Sequence, residues 1–185
     1  MIIGVTGRIA AGKETLTEFL RKKGFIYFET SKLLIEELGR RGLEINRWNM
    51  QNLGDELREK HGPGALMKLF LKRTEPGKNY IFDSLRNPGE AEFLKENVKD
   101  FILIAVDASQ EIRFQRLIER NKPTDPKTWD EFLKVDNRDY FDKNNVFGQQ
   151  VRECMAIADF KIINDDLEES KKEVERIWEK IKNNN

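Results

Sequence analysis

The chain has one cysteine, one histidine, few prolines and no net charge, with 33 basic residues set against 33 acidic ones in 185 positions. A lone Cys154 excludes an internal disulfide framework. His61, with no cysteine or histidine companions at ligand spacing, excludes an ordinary zinc site. Without an excess of either charge, no global field draws the molecule to nucleic acid or an anionic membrane, so anion affinity has to come from local clusters. Long hydrophobic runs are missing too. The first apolar run, residues 1–5, stops far short of the ~20 residues of a spanning helix and lacks the shape of a signal peptide. The expectation is a soluble, cytoplasmic, single-domain protein, monomer or homodimer, without nucleic-acid or membrane partners. Its length allows roughly 70% of the unfolded chain's surface to be buried.

What the chain does have is Gly7-Arg8-Ile9-Ala10-Ala11-Gly12-Lys13, directly after that apolar opening. A strand feeding a glycine-bounded turn feeding a helix is the context a phosphate-binding loop requires. The two glycines let backbone N–H groups close around an anion, the following helix offers unpaired donors and its positive end, and Lys13 adds a mobile charge. Gly7, Arg8, Ala10, Ala11, Gly12, Lys13, Glu14 and Thr15 are the loop residues expected to line a polyphosphate. Arg8 either touches the terminal phosphate or points to solvent.

Apolar, β-branched or aromatic runs at 1–5, 25–28, 80–82, 101–106 and 160–163 read as buried strands. Helical patterns occupy 13–23, 31–41, 47–61, 65–72, 89–96, 111–120, 149–158 and 167–182. The alternation predicts an α/β three-layer fold, a five-stranded parallel sheet with helices on both faces. Thr30 and Ser109 suit N-caps, and Thr128-Trp129-Asp130-Glu131 reads as a capping box opening a further short helix. Residues 121–148 break the rhythm. Polar and carrying Pro123 and Pro126, they read as an inserted lid that has little core of its own and orders when ligand binds.

Ligands of such sheets gather beyond the carboxyl ends of the strands. Asp83, closing the third apolar run, suits a carboxylate that holds a nucleotide's magnesium through water, and Thr15 is the nearest hydroxyl to that metal. Gly7 through Thr15, G-R-I-A-A-G-K-E-T, resembles the G-x-x-G-x-G-K-G-T loop of adenylate kinases at the first glycine, Gly12, Lys13 and Thr15. Asp83-Ser84-Leu85-Arg86 is similar to that family's D-G-x-P-R, and Arg113, Arg116 and Arg120 ahead of the insertion resemble its arginine-flanked lid. Ala158 to Asp165 is similar to the A-D-x-x-I-x-N stretch of dephospho-coenzyme A kinases, which adds Asn164 to the nucleotide contacts.

The resemblance implies a P-loop kinase of the nucleoside monophosphate kinase type. It would transfer the ATP γ-phosphoryl group, with Mg2+, to a nucleoside or deoxynucleoside monophosphate held by an acceptor region at 31–72 under a lid at 121–148. Two departures stand out. Glu14 occupies the place of a glycine or hydroxyl residue, and a carboxylate about 5 Å from a phosphate oxygen costs about 3 kcal/mol at an effective dielectric of about 20, so an outward or paired Glu14 is expected. Glu29-Thr30-Ser31 differs from the D-A-D of dephospho-coenzyme A kinases and weakens that acceptor. A nucleotide-dependent binding or regulatory module with little turnover and a dephospho-coenzyme A kinase-like enzyme are the alternatives.

For chemistry, Lys13 is expected to bridge the β- and γ-phosphates. Arg86, Arg116, Arg120 and Arg138 are candidates to clamp the transferred group or the acceptor phosphate, because a guanidinium fork fits those oxygens. Ser31, Asp55, Arg58, Asp83 and Arg86 are the acceptor-side candidates, with the 62–65 turn offering N–H groups beside Arg58. Trp48, Trp129, Trp178 and Cys154 read as packing residues. Asn121-Lys122-Pro123-Thr124 lacks the Asp of a guanine-reading N-K-x-D, and no D-x-x-G begins at Asp83, which argues against a GTPase.

Overall fold

A computed structural model describes residues 1–122 and 125–183, so Pro123 and Thr124 of the Asn121–Thr124 tetrapeptide lie outside the described residues, as does the side chain of Thr30 with its expected cap. Strands β1 (Ile2–Gly7), β2 (Ile26–Glu29), β3 (Tyr80–Leu85), β4 (Phe101–Asp107) and β5 (Phe160–Ile163) form one parallel sheet in the order β2-β3-β1-β4-β5. Parallel neighbours need crossovers, and helices supply them. These are α1 (Glu14–Lys22), α2 (Thr30–Arg40), α3 (Arg47–His61), α4 (Ala65–Leu71), α5 (Pro88–Asn97), α6 (Gln110–Arg120), α7 (Trp129–Tyr140), α8 (Val151–Ala156) and α9 (Leu167–Asn183).

Side chains alternate across the strands, so the sheet feeds two cores. Ile3, Val5, Ile81, Ile104, Val106 and Ile162 meet Leu16 and Leu20 of α1 and Val174, Ile177 and Ile181 of α9 on one face. Ile2, Tyr80, Phe82 and Leu103 meet α2, α3, α4 and α5 on the other. The expected three-layer architecture is therefore the observed one. The strand order corrects one detail: β2 and β5 are edge strands, and Ile26 and Ile163 are 40% and 63% exposed where buried runs were expected.

One irregularity shapes the functional edge. The β1–β3 register runs Val5 to Asp83 and then Thr6 to Leu85, skipping Ser84, whose φ is +67°. This bulge re-aims Asp83 and Arg86 at the carboxyl end of the sheet, and the Thr6 hydroxyl pins it by donating to the Leu85 carbonyl at 2.8 Å.

Phe70 is fully buried against Phe28 and Phe82, with ring centroids at 4.8 Å, and against Tyr80. Replacing it by alanine is expected to cost about 3–5 kcal/mol in guanidinium denaturation, and a loss below about 1 kcal/mol would contradict this packing.

Candidate functional site

The loop between β1 and α1 closes because two glycines stand where a side chain has no room. A Cβ on Gly7, at φ +145°, would lie 1.9 Å from the Val106 carbonyl oxygen, and one on Gly12, at φ +80°, would lie 2.1 Å from the Asn164 amide nitrogen. Ala10 also takes a positive φ, 57°. The loop's carbonyls are tied down by side chains. Lys13 Nζ donates to Arg8 O at 3.1 Å, Arg113 to Ile9 O at 3.4 Å, Arg116 to Ala11 O at 3.3 Å, and the Asn164 amide to the oxygens of Ala11 and Gly12 at 2.9 and 3.1 Å. With the oxygens committed, the N–H groups at the start of α1 are the loop's donors, although that of Thr15 already bonds to Gly12 O at 3.2 Å and that of Ala11 to Arg8 O at 3.3 Å. Of the expected loop residues, Thr15 lies in the first turn of α1 and Glu14 is its exposed first residue.

Beside the loop, Asp83 ends up next to Lys13. Burial pushes the Lys13 ammonium below its usual pKa, while Asp83, Glu14 and Asp139 pull it back up and Arg86 adds to the lowering. Asp83 accepts from the Tyr27 hydroxyl at 2.6 Å and from the Ser84 hydroxyl at 3.2 Å, and burial together with that bond holds the Tyr27 phenol far above its usual range. Arg86, just past β3, donates to Asp139 at 3.2 Å and to Gln149 at 2.8 Å, and Gln51 of α3 also donates to Asp139 at 3.2 Å.

The three arginines of α6 share one helix face but diverge in use. Arg116 also donates to Asn164 O at 2.7 Å. Arg120 is engaged by Asp125 through two bonds of 2.6 and 2.8 Å, which raise its own pKa and lower that of Asp125. Arg113 is fully buried on Asp136 at 2.6 and 2.9 Å.

Several expectations are corrected. Arg8 does not point to solvent: it ion-pairs with Asp136 and lies 4.1 Å over the Tyr140 ring. Arg58 does not attend the 62–65 turn. It is buried on Glu90 at 3.0 Å, Asp55 at 2.6 Å and the Phe147 carbonyl at 2.5 Å, while the Ala65 N–H is spent on Gly62 O. Asp55 is further held by Asn145, so this corner joins α3 to the segment after α7. Ser31 is a partly buried residue of the first turn of α2. Arg138 sits 4.5 Å over the ring of Trp48, which is 59% exposed and not a packing residue, whereas Trp129 and Trp178 pack as expected. Ser109 occupies an N-cap position, but its side chain makes no capping bond.

The lid expectation changes most. The Thr128 capping box is present and opens α7, but that helix carries its own core: Phe132 and Leu133 pack with Ile9, Leu117 and Phe114. Asp136, Asp139 and Tyr27 are the site residues that the sequence left unmarked. The available signal was the spacing of Phe132, Asp136 and Tyr140, four apart on one face of a capped helix. Amides of α7 are expected to exchange with deuterium as slowly as those of α6 without any ligand, and uniformly fast exchange across α7 would contradict the docked helix.

Comparisons with known proteins agree with this geometry. The AAA domain family matches residues 3–139. A UPF0200 protein of Thermococcus gammatolerans is 32% identical, covering 98% of this chain and 95% of that protein, and one of Methanocaldococcus jannaschii is 28% identical, covering 100% and 92%. Among solved structures, shikimate kinase of Aquifex aeolicus aligns with a TM-score of 0.54 at 18% identity, covering 97% of this chain and 96% of that one. A gluconokinase of Sinorhizobium meliloti aligns with a TM-score of 0.56 at 13% identity, covering 93% and 87%. At such identities the structural likeness establishes the fold, a three-layer P-loop α/β fold shared with small-molecule kinases. The chain belongs to the AAA domain family of P-loop proteins and stands with the UPF0200 proteins along nearly its whole length.

Proposed function

We propose that this protein is an ATP- and Mg2+-dependent phosphotransferase that passes the γ-phosphoryl group to a small acceptor, a nucleoside or deoxynucleoside monophosphate. The observation that carries the reading is the convergence on Lys13 of Asp83, Arg86 and Asp139 beside a loop whose carbonyls are tied away. Phosphoryl transfer asks little of a protein beyond positioning and charge stabilisation, and this cleft supplies both. The loop N–H groups and Lys13 hold the polyphosphate, Arg116 and Asn164 brace the loop that does so, and Arg86 serves the incoming group. Arg120 and Arg138 are the reserve cations, released from Asp125 and Trp48.

Asp83 and Thr15 are the residues that would hold the metal. Among the described residues no group of three or more His, Cys, Asp or Glu forms a cation site by itself. That suits a magnesium ion carried mainly by phosphate oxygens and water with one or two carboxylates at hand. When bound, it neutralises charge on the β- and γ-oxygens.

Arg58 is committed to Glu90 and Asp55, which removes one of the cations expected to meet a phosphorylated acceptor. A hydroxyl acceptor is therefore the second reading, with Asp139 or Asp83 accepting the hydroxyl proton. A similar solved structure, with a TM-score of 0.56, is a shikimate kinase in complex with shikimate.

Coupled ADP release decides between these readings. Addition of one nucleoside monophosphate from a panel is expected to accelerate ADP formation, and Lys13→Ala to reduce that increment by about 100-fold or more. Acceleration only by a hydroxylated acid or sugar favours the second reading, and ATP binding without any acceptor effect favours a binding module.

A pH effect follows from Lys13. Its pKa is lowered in the free protein, and an anion raises it, so at alkaline pH nucleotide binding takes up a proton. Calorimetric titration in buffers of different ionisation enthalpy is expected to show that uptake in the wild type and not in Lys13→Met. Equal values in both would contradict it.

A further inference from the structure

We propose that Asp136, on α7 and far from the loop in sequence, is a positioning residue for the phosphate loop, acting through Arg8 and Arg113; this rests on the nucleotide reading above. The Asp136 carboxylate is 1% exposed and is shared by two guanidinium groups. Arg113 binds it with Nη1 and Nη2, and Arg8 binds it with Nε and Nη2. Each arginine also lies on an aromatic ring of the same helix face, Arg8 over Tyr140 at 4.1 Å and Arg113 over Phe132 at 5.2 Å. Phe132, Asp136 and Tyr140 are four residues apart, so one stripe of α7 grips both. The other groups facing this cluster are Gln110, whose amide donates to Asp136 at 3.4 Å, and Asp107, which lies 3.9 Å from Arg113.

What the two arginines hold is the loop. Arg8 is its second residue, and Arg113 donates to Ile9 O and to Ala108 O. The Ile9 side chain is buried with Leu117 and Phe132, and the next residue, Ala10, takes the positive φ that turns the loop. Residues 8–10 are thereby fixed from side chain, carbonyl and backbone at once, and Asp136 is the common anchor. A buried ion pair is weak support for stability, because apolar residues of similar volume often do as well. A network of two arginines and one aspartate that ends on loop atoms is instead suited to setting the geometry in which the loop meets polyphosphate, where a displacement of about 1 Å is costly.

The test measures Mg2+-ATP affinity by calorimetry and melting temperature on wild type, Asp136→Asn, Arg8→Gln and the double variant. Each single variant is expected to weaken ATP binding about tenfold or more while remaining folded by circular dichroism. The double variant is expected to be no weaker than the worse single one, because both act through one contact. Unchanged ATP affinity with a lowered melting temperature would overturn the proposal and leave a stabilising ion pair only. Additive losses would overturn it too, since Arg8 would then act on nucleotide without Asp136. Should Asp136→Asn fail to fold, Arg8→Gln, which leaves Asp136 its two bonds to Arg113, decides alone: wild-type affinity overturns the proposal. A wild-type protein that binds no ATP removes the nucleotide reading itself, and that result is seen before any variant is made.

Discussion

A backbone can wrap an anion with its N–H groups only if its carbonyl oxygens find partners elsewhere, and the segment from Arg8 to Gly12 meets that condition almost residue by residue. Lys13, Arg113, Arg116 and Asn164 take the oxygens. They come from the loop itself, from α6 and from the end of β5, so the loop is assembled from three distant parts of the chain. Burying those oxygens unpaired would cost about 1–3 kcal/mol each, which gives the arrangement its rigidity. Asn164 makes the point at atomic level: its amide nitrogen is used twice on the loop, while its Oδ1 is buried without a partner among the described residues.

From that loop the chemistry extends along one edge of the sheet. The bulge at Ser84 turns Asp83 toward Lys13 and sends Arg86 toward α7. Helix α7 touches both the loop and the end of β3, with Asp136 and Tyr140 on Arg8 and with Asp139 on Arg86 and Gln51. Both aspartates are buried and both hold arginines, so Arg8, Arg86 and Arg113 are balanced by carboxylates of a single helix.

The sheet, its helices and the loop were legible because their signals are local. Five apolar runs, a glycine-bounded turn after the first and the Thr128 capping box each need only neighbouring residues to be read. The contacts that complete the site are not local. Asp136 and Arg8 are 128 positions apart, and nothing in a polar stretch rich in aspartate marks which carboxylate is buried. Ser84 stands where the adenylate kinase pattern has glycine, and its positive φ is what that glycine would have foretold. Trp48 misled in the other direction, since a tryptophan on a helical pattern usually packs, whereas this one carries Arg138 on an exposed face. Arg58, read as an anion ligand from its place near a glycine-rich corner, is instead consumed by Glu90, whose own carboxylate also caps the start of α5.

A crystal structure of the protein grown with magnesium and a non-hydrolysable ATP analogue tests the central claim most directly. The account predicts the β-phosphate within hydrogen-bond distance of backbone N–H groups between Ala10 and Thr15, Lys13 Nζ moved from Arg8 O onto phosphate oxygen, and Asn164 still on the Ala11 and Gly12 carbonyls. An analogue bound elsewhere, with the loop unchanged and Lys13 still on Arg8 O, would contradict it.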